Sequence, residues 1–140
     1  MFVDDMLVLS DGQDLAQTAG DYYSTNVLNT GSLIADIGAG NPLYLICCVD
    51  EAFVGASGTV KISLIDEADT TLDSGSVEIV STDTIAITRL TLGKIIVLPI
   101  PTGLITQQYL GVRYDIGTTT QTAGTITAFI GIGAQTWNKT

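Results

Sequence analysis

The sequence predicts an all-β fold, and three observations carry the prediction. Thr, Val and Ile together make up about a third of the 140 residues, and these β-branched side chains suit a pleated surface. Short apolar or alternating runs recur at fairly even intervals, separated by Gly-, Asp- and Thr-rich joints that the 15 glycines help to supply. No window shows a long apolar stripe at helical period. Eight or nine short antiparallel strands in a sandwich, jelly roll or barrel satisfy all three.

Taken in order, Met6–Leu9 is the first strand candidate and Leu33–Ile37 a weak second. Between them Gln13–Ala19 is a weak helical candidate, too short to matter. Leu43–Val49 is continuously apolar, as expected in the middle of a packed sheet. The preceding Gly38-Ala39-Gly40-Asn41-Pro42 reads as a tight turn; a phosphate-binding loop would lead into a helix, and here a strand follows. Thr59–Ile65 alternates, with Val60, Ile62 and Leu64 on one face and Lys61 and Ser63 on the other. Val77–Val80 and Thr84–Leu92 follow. In the latter, Ile85 and Ile87 share one parity while Leu90 and Leu92 share the other, which predicts a bulge or bend near Thr88–Arg89. Lys94–Leu98 ends at Pro99-Ile100-Pro101, a pattern of sheet exits and edges. Tyr109–Ile116 turns Leu110, Val112, Tyr114 and Ile116 inward. Thr125–Ala134 does the same with Ile126, Ala128, Ile130 and Ile132. The whole chain, 1–140, reads as a single β-sandwich domain with extended arms at 1–5 and 135–140.

Charge and composition exclude several functions. Fifteen acids against five bases give a formal net charge of −10. Five Lys or Arg cannot easily form a basic face, so the expectation is no nucleic acid and no anionic membrane as partner. Histidine is absent, so Ser-His-Asp and Cys-His arrangements cannot form within the chain. Nothing resembles a targeting signal, and the seven apolar residues of Leu43–Val49 fall well short of the ~20 that span a bilayer. A soluble product of the cytoplasm is expected.

The candidate chemical groups are sparse. Cys47 and Cys48 are adjacent, which on a strand points them to opposite faces; two unbridged thiols are expected. Asp66–Asp73 carries four carboxylates in eight residues, but the EF-hand pattern fails at Ala68 and Thr70, and a solvated hairpin loop is expected. The Asp4-Asp5 pair and nearby Asp11 do not make a catalytic dyad, because adjacent side chains on a strand diverge. Trp137, the single tryptophan, lies near the C-terminus, where an aromatic suits anchoring in a neighbour's pocket. Arg113 has outward parity and is a candidate for an intersubunit ion pair. No catalytic, cofactor or metal residues are predicted, and no enzyme activity.

Several stretches resemble the capsid cement (decoration) proteins of tailed bacteriophages. They are Met6-Leu7-Val8-Leu9-Ser10-Asp11-Gly12-Gln13, Ser24-Thr25-Asn26-Val27-Leu28, and Asp36-Ile37-Gly38-Ala39-Gly40-Asn41-Pro42-Leu43-Tyr44 leading into Val49-Asp50-Glu51-Ala52-Phe53. Leu98-Pro99, Tyr109-Leu110-Gly111-Val112-Arg113-Tyr114, Thr122-Ala123-Gly124 and Ala128-Phe129 complete the set. The resemblance implies a jelly-roll-like antiparallel β-sandwich of about eight strands on the outer surface of a phage head. It implies a major capsid protein as partner, with self-association as a dimer in preference to a trimer. Phe2, Val3, Arg113 and Trp137 are then the candidate contacts with capsid or subunit. Two other readings fit a β-sandwich: a carbohydrate-binding module using Tyr22-Tyr23 near Asp21, and a tail or neck adaptor.

Overall fold

The computed structural model describes residues 5–31, 40 and 42–132. Among these residues ten antiparallel strands form two sheets. They are β1 (Val8–Asp14), β2 (Gly20–Tyr23), β3 (Leu28–Asn29), β4 (Tyr44–Gly55), β5 (Thr59–Glu67), β6 (Val77–Ser81), β7 (Ile85–Ala86), β8 (Ile95–Pro99), β9 (Tyr109–Gly117) and β10 (Gln121–Gly131). Sheet A has the order β1-β10-β4-β8. Sheet B has the order β2-β9-β5-β6, with the two-residue strands β3 and β7 added beside β9 and β5. The eight longer strands therefore pass A, B, A, B, B, A, B, A along the chain, and the first pairs with the last. That winding is a jelly roll.

The core lies between the sheets, where period-two alternation puts it. Leu45, Cys47 and Val49 of β4 and Ile126, Ala128 and Ile130 of β10 face Val60, Ile62 and Leu64 of β5 and Leu110, Val112, Tyr114 and Ile116 of β9, all buried. Each such aliphatic side chain contributes roughly 1.5–3 kcal/mol by leaving water. A buried hydrogen bond crosses the interior from sheet B to sheet A: the Tyr114 phenol donates to Ser10 Oγ at 2.8 Å. Burial pushes that phenol well above its ordinary pKa.

The inward faces of β5 and β9 are those the alternation predicts. Other elements differ. Asp5–Leu7 is a 3₁₀ turn with Met6 exposed, so the first strand starts at Val8 and runs on to Asp14. Gln13–Ala19 is not helical: Gln13 and Asp14 finish β1, and irregular chain leads into β2. β4 continues six residues past Val49. The bend foreseen at Thr88–Arg89 is a 3₁₀ turn, Ile87–Arg89, and it leaves only Ile85–Ala86 as strand. β10 begins at Gln121, because its first half pairs with β4 through three register shifts that break the alternation. Gly124 sits among them at φ +141°, and a Cβ there would meet Phe53 at 2.6 Å. Ile132 lies beyond β10 and is exposed rather than inward. Leu33–Ile37 and most of the Gly38–Pro42 turn lie outside the described residues, as do 133–140. Of that turn, Gly40 has φ +89°.

Candidate functional site

The two sheets have contrasting outer faces. On sheet B, Ser63 and Lys61 of β5, Arg113 of β9 and Glu78 of β6 converge. Glu78 Oε1 accepts a hydrogen bond from Ser63 Oγ at 2.7 Å and pairs with Lys61 Nζ at 3.1 Å and Arg113 Nη2 at 3.2 Å. The Ser63 hydrogen bond, followed by Lys61 and Arg113, holds the Glu78 carboxyl below its ordinary range. Arg113 is thus committed to Glu78 within the same chain. Tyr23 lies opposite Arg113 across the β2–β9 ladder, and partial burial followed by the Asp21 charge raises its phenol. Tyr22 packs against the core and shares a hydrogen bond with Thr18, so the two tyrosines do not form one stacking platform.

The acidic stretch divides in two. Asp66 is not in a solvated loop. It ends the inward row of β5, is fully buried, and its Oδ2 accepts hydrogen bonds from Thr106 N–H at 2.9 Å and Gln107 N–H at 3.1 Å. Its Oδ1 is buried with no hydrogen-bond partner. The carboxylate ties the β8–β9 connection to sheet B. The other three acids bond their own loop: Glu67 receives Ala68 N–H and Ser76 Oγ–H, Asp69 receives Thr71 N–H, and Asp73 receives Gly75 N–H. Leu72 from that loop covers Gly111 of β9, where a Cβ would come within 2.3 Å of it. Gly111 is the gap that lets the loop close on the sheet. Among the described residues no cluster of His, Cys, Asp or Glu is arranged to hold a metal ion.

Sheet A is different. Tyr44, Ile46 and Cys48 of β4, Ile95, Val97 and Pro99 of β8 and Phe129 of β10 all lie on the side away from the core, paired across the strands. Ile46 and Phe129 are buried, while Val97 is 37% exposed. The polar pair on this face satisfies itself: Thr127 Oγ donates to Asp50 Oδ2 and receives Gly12 N–H. Cys47 and Cys48 are unbridged and point to opposite sides as their adjacency predicts. Burial raises both thiols, with the neighbouring thiol adding for Cys47 and Asp50 for Cys48.

Of the predicted contact residues, Arg113 alone lies among the described residues; Phe2, Val3 and Trp137 lie outside them, as does Asp4. Asp11 stands on β1 and Asp5 opens the first 3₁₀ turn. Reading the sequence missed Glu78 as the centre of the sheet B network and Asp66 as a buried tie. No helix among the described residues is long and apolar enough to cross a membrane.

A family model, Bbp16, matches residues 9–130, from the first strand of the jelly roll into the last. The chain belongs to the Bbp16 family. The Bbp16 match covers both sheets, so it includes the apolar face of sheet A as well as the charged network of sheet B. No curated protein matches the chain.

Proposed function

We propose that the protein is a structural virion protein without enzymatic activity: a cement or decoration protein that binds the outer surface of a phage head and bridges neighbouring major capsid proteins. The observation that carries the reading is the outer face of sheet A. It is apolar across three strands, buried at Ile46 and Phe129 and exposed at Val97 and Pro99 of β8, on a chain of net charge −10, which suits docking of the β8 side against another protein rather than against nucleic acid. The sequence resemblance to cement proteins points the same way. Each copy grips two or more capsid subunits, so opening a seam breaks several contacts at once and modest contacts add up. The charge favours the outside of the shell, away from packaged DNA. The protein is made in the host cytoplasm and ends in the virion.

The test uses purified heads that lack the protein, with the purified chain added back. Saturable binding in hundreds of copies per head is expected, with heads then surviving heat or chelation that ruptures bare ones. Tyr44→Glu, which puts a charge on the apolar face, is expected to lower retention at least tenfold. A dozen copies or fewer per particle overturns the reading in favour of a tail or neck adaptor. Glycan binding with no retention on heads overturns it in favour of a carbohydrate module.

A further inference from the structure

Leu92 is a large apolar side chain held out in water by a fixed backbone. It is 71% exposed and stands at the tip of the turn Thr91–Lys94, between the Ile87–Arg89 3₁₀ turn and β8. Lys94 N–H closes the turn on the Thr91 carbonyl at 3.0 Å, and Gly93 takes φ +82°, as the second central residue of a type II turn requires. Backbone bonds also fasten this stretch to β4. Phe53 N–H bonds the Leu90 carbonyl at 3.1 Å, Gly93 N–H bonds the Val49 carbonyl at 2.9 Å, and Val49 N–H bonds the Lys94 carbonyl at 2.9 Å. Leu90 is fully buried beneath the turn. Turning the tip inward would break these bonds. The order of the turn is present before anything docks on it, so docking costs little further entropy.

The bases beside the turn are uncommitted. Among the described residues Lys61 and Arg113 both pair with Glu78. Arg89 and Lys94 are exposed, and among the described residues neither side chain forms an ion pair or a hydrogen bond. Asp50 and Glu51 of β4 lie between the two points where the loop is fastened, yet they form no ion pair with either base; Asp50 instead accepts the Thr127 hydroxyl. Arg89 and Lys94 bracket Leu92 in the chain, and residues 84–114 contain no Asp or Glu. On a chain of net charge −10, this is an apolar tip flanked by two free cations.

We infer that the Thr91–Lys94 turn is a docking knob: Leu92 enters an apolar pocket on a partner protein, and Arg89 and Lys94 reach carboxylates on the rim of that pocket. The inference rests on the capsid reading for the partner, the major capsid protein, and adds a contact beside the outer face of sheet A. Charge complementarity sets the chemistry of the pocket. Two unpaired bases call for acids, and the acids of this chain do not supply them. A phosphate polymer fits less well, because the net charge of the chain repels it and it offers Leu92 no apolar cavity. An apolar anchor at the centre with polar groups around it is the usual anatomy of an interface. The leucine supplies affinity, while the bases fix orientation and speed the encounter.

Heads that lack the protein, with the purified chain added back, test the knob. Leu92→Ser is expected to lower retention about tenfold or more, and so is the double variant Arg89→Gln with Lys94→Gln. Lys94→Arg, which keeps the charge, is expected to match wild type. All three change exposed side chains, and an unchanged urea midpoint of the free chain is the check on folding. Added salt is expected to weaken retention of wild type more than that of the double variant, which has no ion pairs at the rim to screen. Retention of Leu92→Ser and the double variant equal to wild type overturns the inference and leaves the capsid reading standing. Failure of wild type itself to bind heads overturns both. A wild-type chain that sediments as more than one copy, and as one copy after Leu92→Ser, overturns the inference by placing the pocket on a second copy.

Discussion

Sheet B finishes its outer surface with a charged network, and sheet A finishes its outer surface with apolar side chains. On sheet B one carboxylate, Glu78, gathers a serine, a lysine and an arginine, and a loop folds back to lay Leu72 over Gly111. On sheet A the corresponding side chains are apolar, and among the described residues no strand pairs with the outer side of β8. Two sheets of one sandwich, with the same core between them, thus carry different external duties. Sheet B invests in the stability of the isolated chain. Sheet A buries Ile46 and Phe129 on its outer side and leaves Val97 of β8 37% exposed.

The contrast breaks most visibly at Asp66. Its Oδ2 holds two backbone N–H groups of the β8–β9 connection in a place without water. Asp66→Ala leaves both donors unanswered, and urea unfolding is expected to show a loss of about 3 kcal/mol. A loss under 1 kcal/mol would mean that the connection finds other partners. Leu72→Ala comes next. Leu72 is half-buried and its removal opens the cover over Gly111, at an expected cost of about 1–2 kcal/mol. Faster amide exchange in 68–76, with the β5–β9 ladder still protected, locates that loss in the loop.

Glu78 has a smaller effect with a definite sign. Its folded pKa lies below the ordinary glutamate value, so its contribution is fully present above that value and is lost as pH falls through the lowered one. Its side chain is 35% exposed, so solvent screens the two ion pairs, and Glu78→Gln is expected to cost only about 0.5 kcal/mol at pH 7. Once the pH is below that lowered pKa, the difference between wild type and variant is expected to vanish. A gap that widens on acidification would show that Ser63, Lys61 and Arg113 are not what depresses the carboxyl.

Much of the fold is legible in the sequence because alternation is a local signal. β5 and β9 alternate without interruption, and their inward residues are the buried ones. The signal fails where geometry departs from period two. Gly20-Asp21-Tyr22-Tyr23 is too short and too polar to read as a strand, and it becomes one because β9 lies beside it. The first half of β10 is bulged around Gly124, so its alternation is scrambled. The parity change at Thr88–Arg89 marks a real break, though a 3₁₀ turn and a bulge leave the same trace in sequence. The outer faces are less legible. Glu78 lies 17 residues from Lys61 and 35 from Arg113, and only the strand order brings the three together. Asp66 looks like one more acid in an acidic loop until the β8–β9 connection is seen to close over it.

The smallest expected effect is the most discriminating, because it falls on sheet A. Val97→Thr keeps the β-branched shape and shares neither a hydrogen bond nor an ion pair with sheet B. In dilute solution the variant is expected to unfold within about 0.5 kcal/mol of wild type, as exposed substitutions generally do. With purified capsid protein added the wild-type midpoint is expected to climb, since whatever binds only the folded chain stabilises it by mass action. The climb should be shallower for Val97→Thr and absent for Val97→Lys. A wild-type midpoint indifferent to added capsid protein would mean that the β8 side of sheet A does not dock there. The difference between the sheets would then lie in side-chain polarity alone.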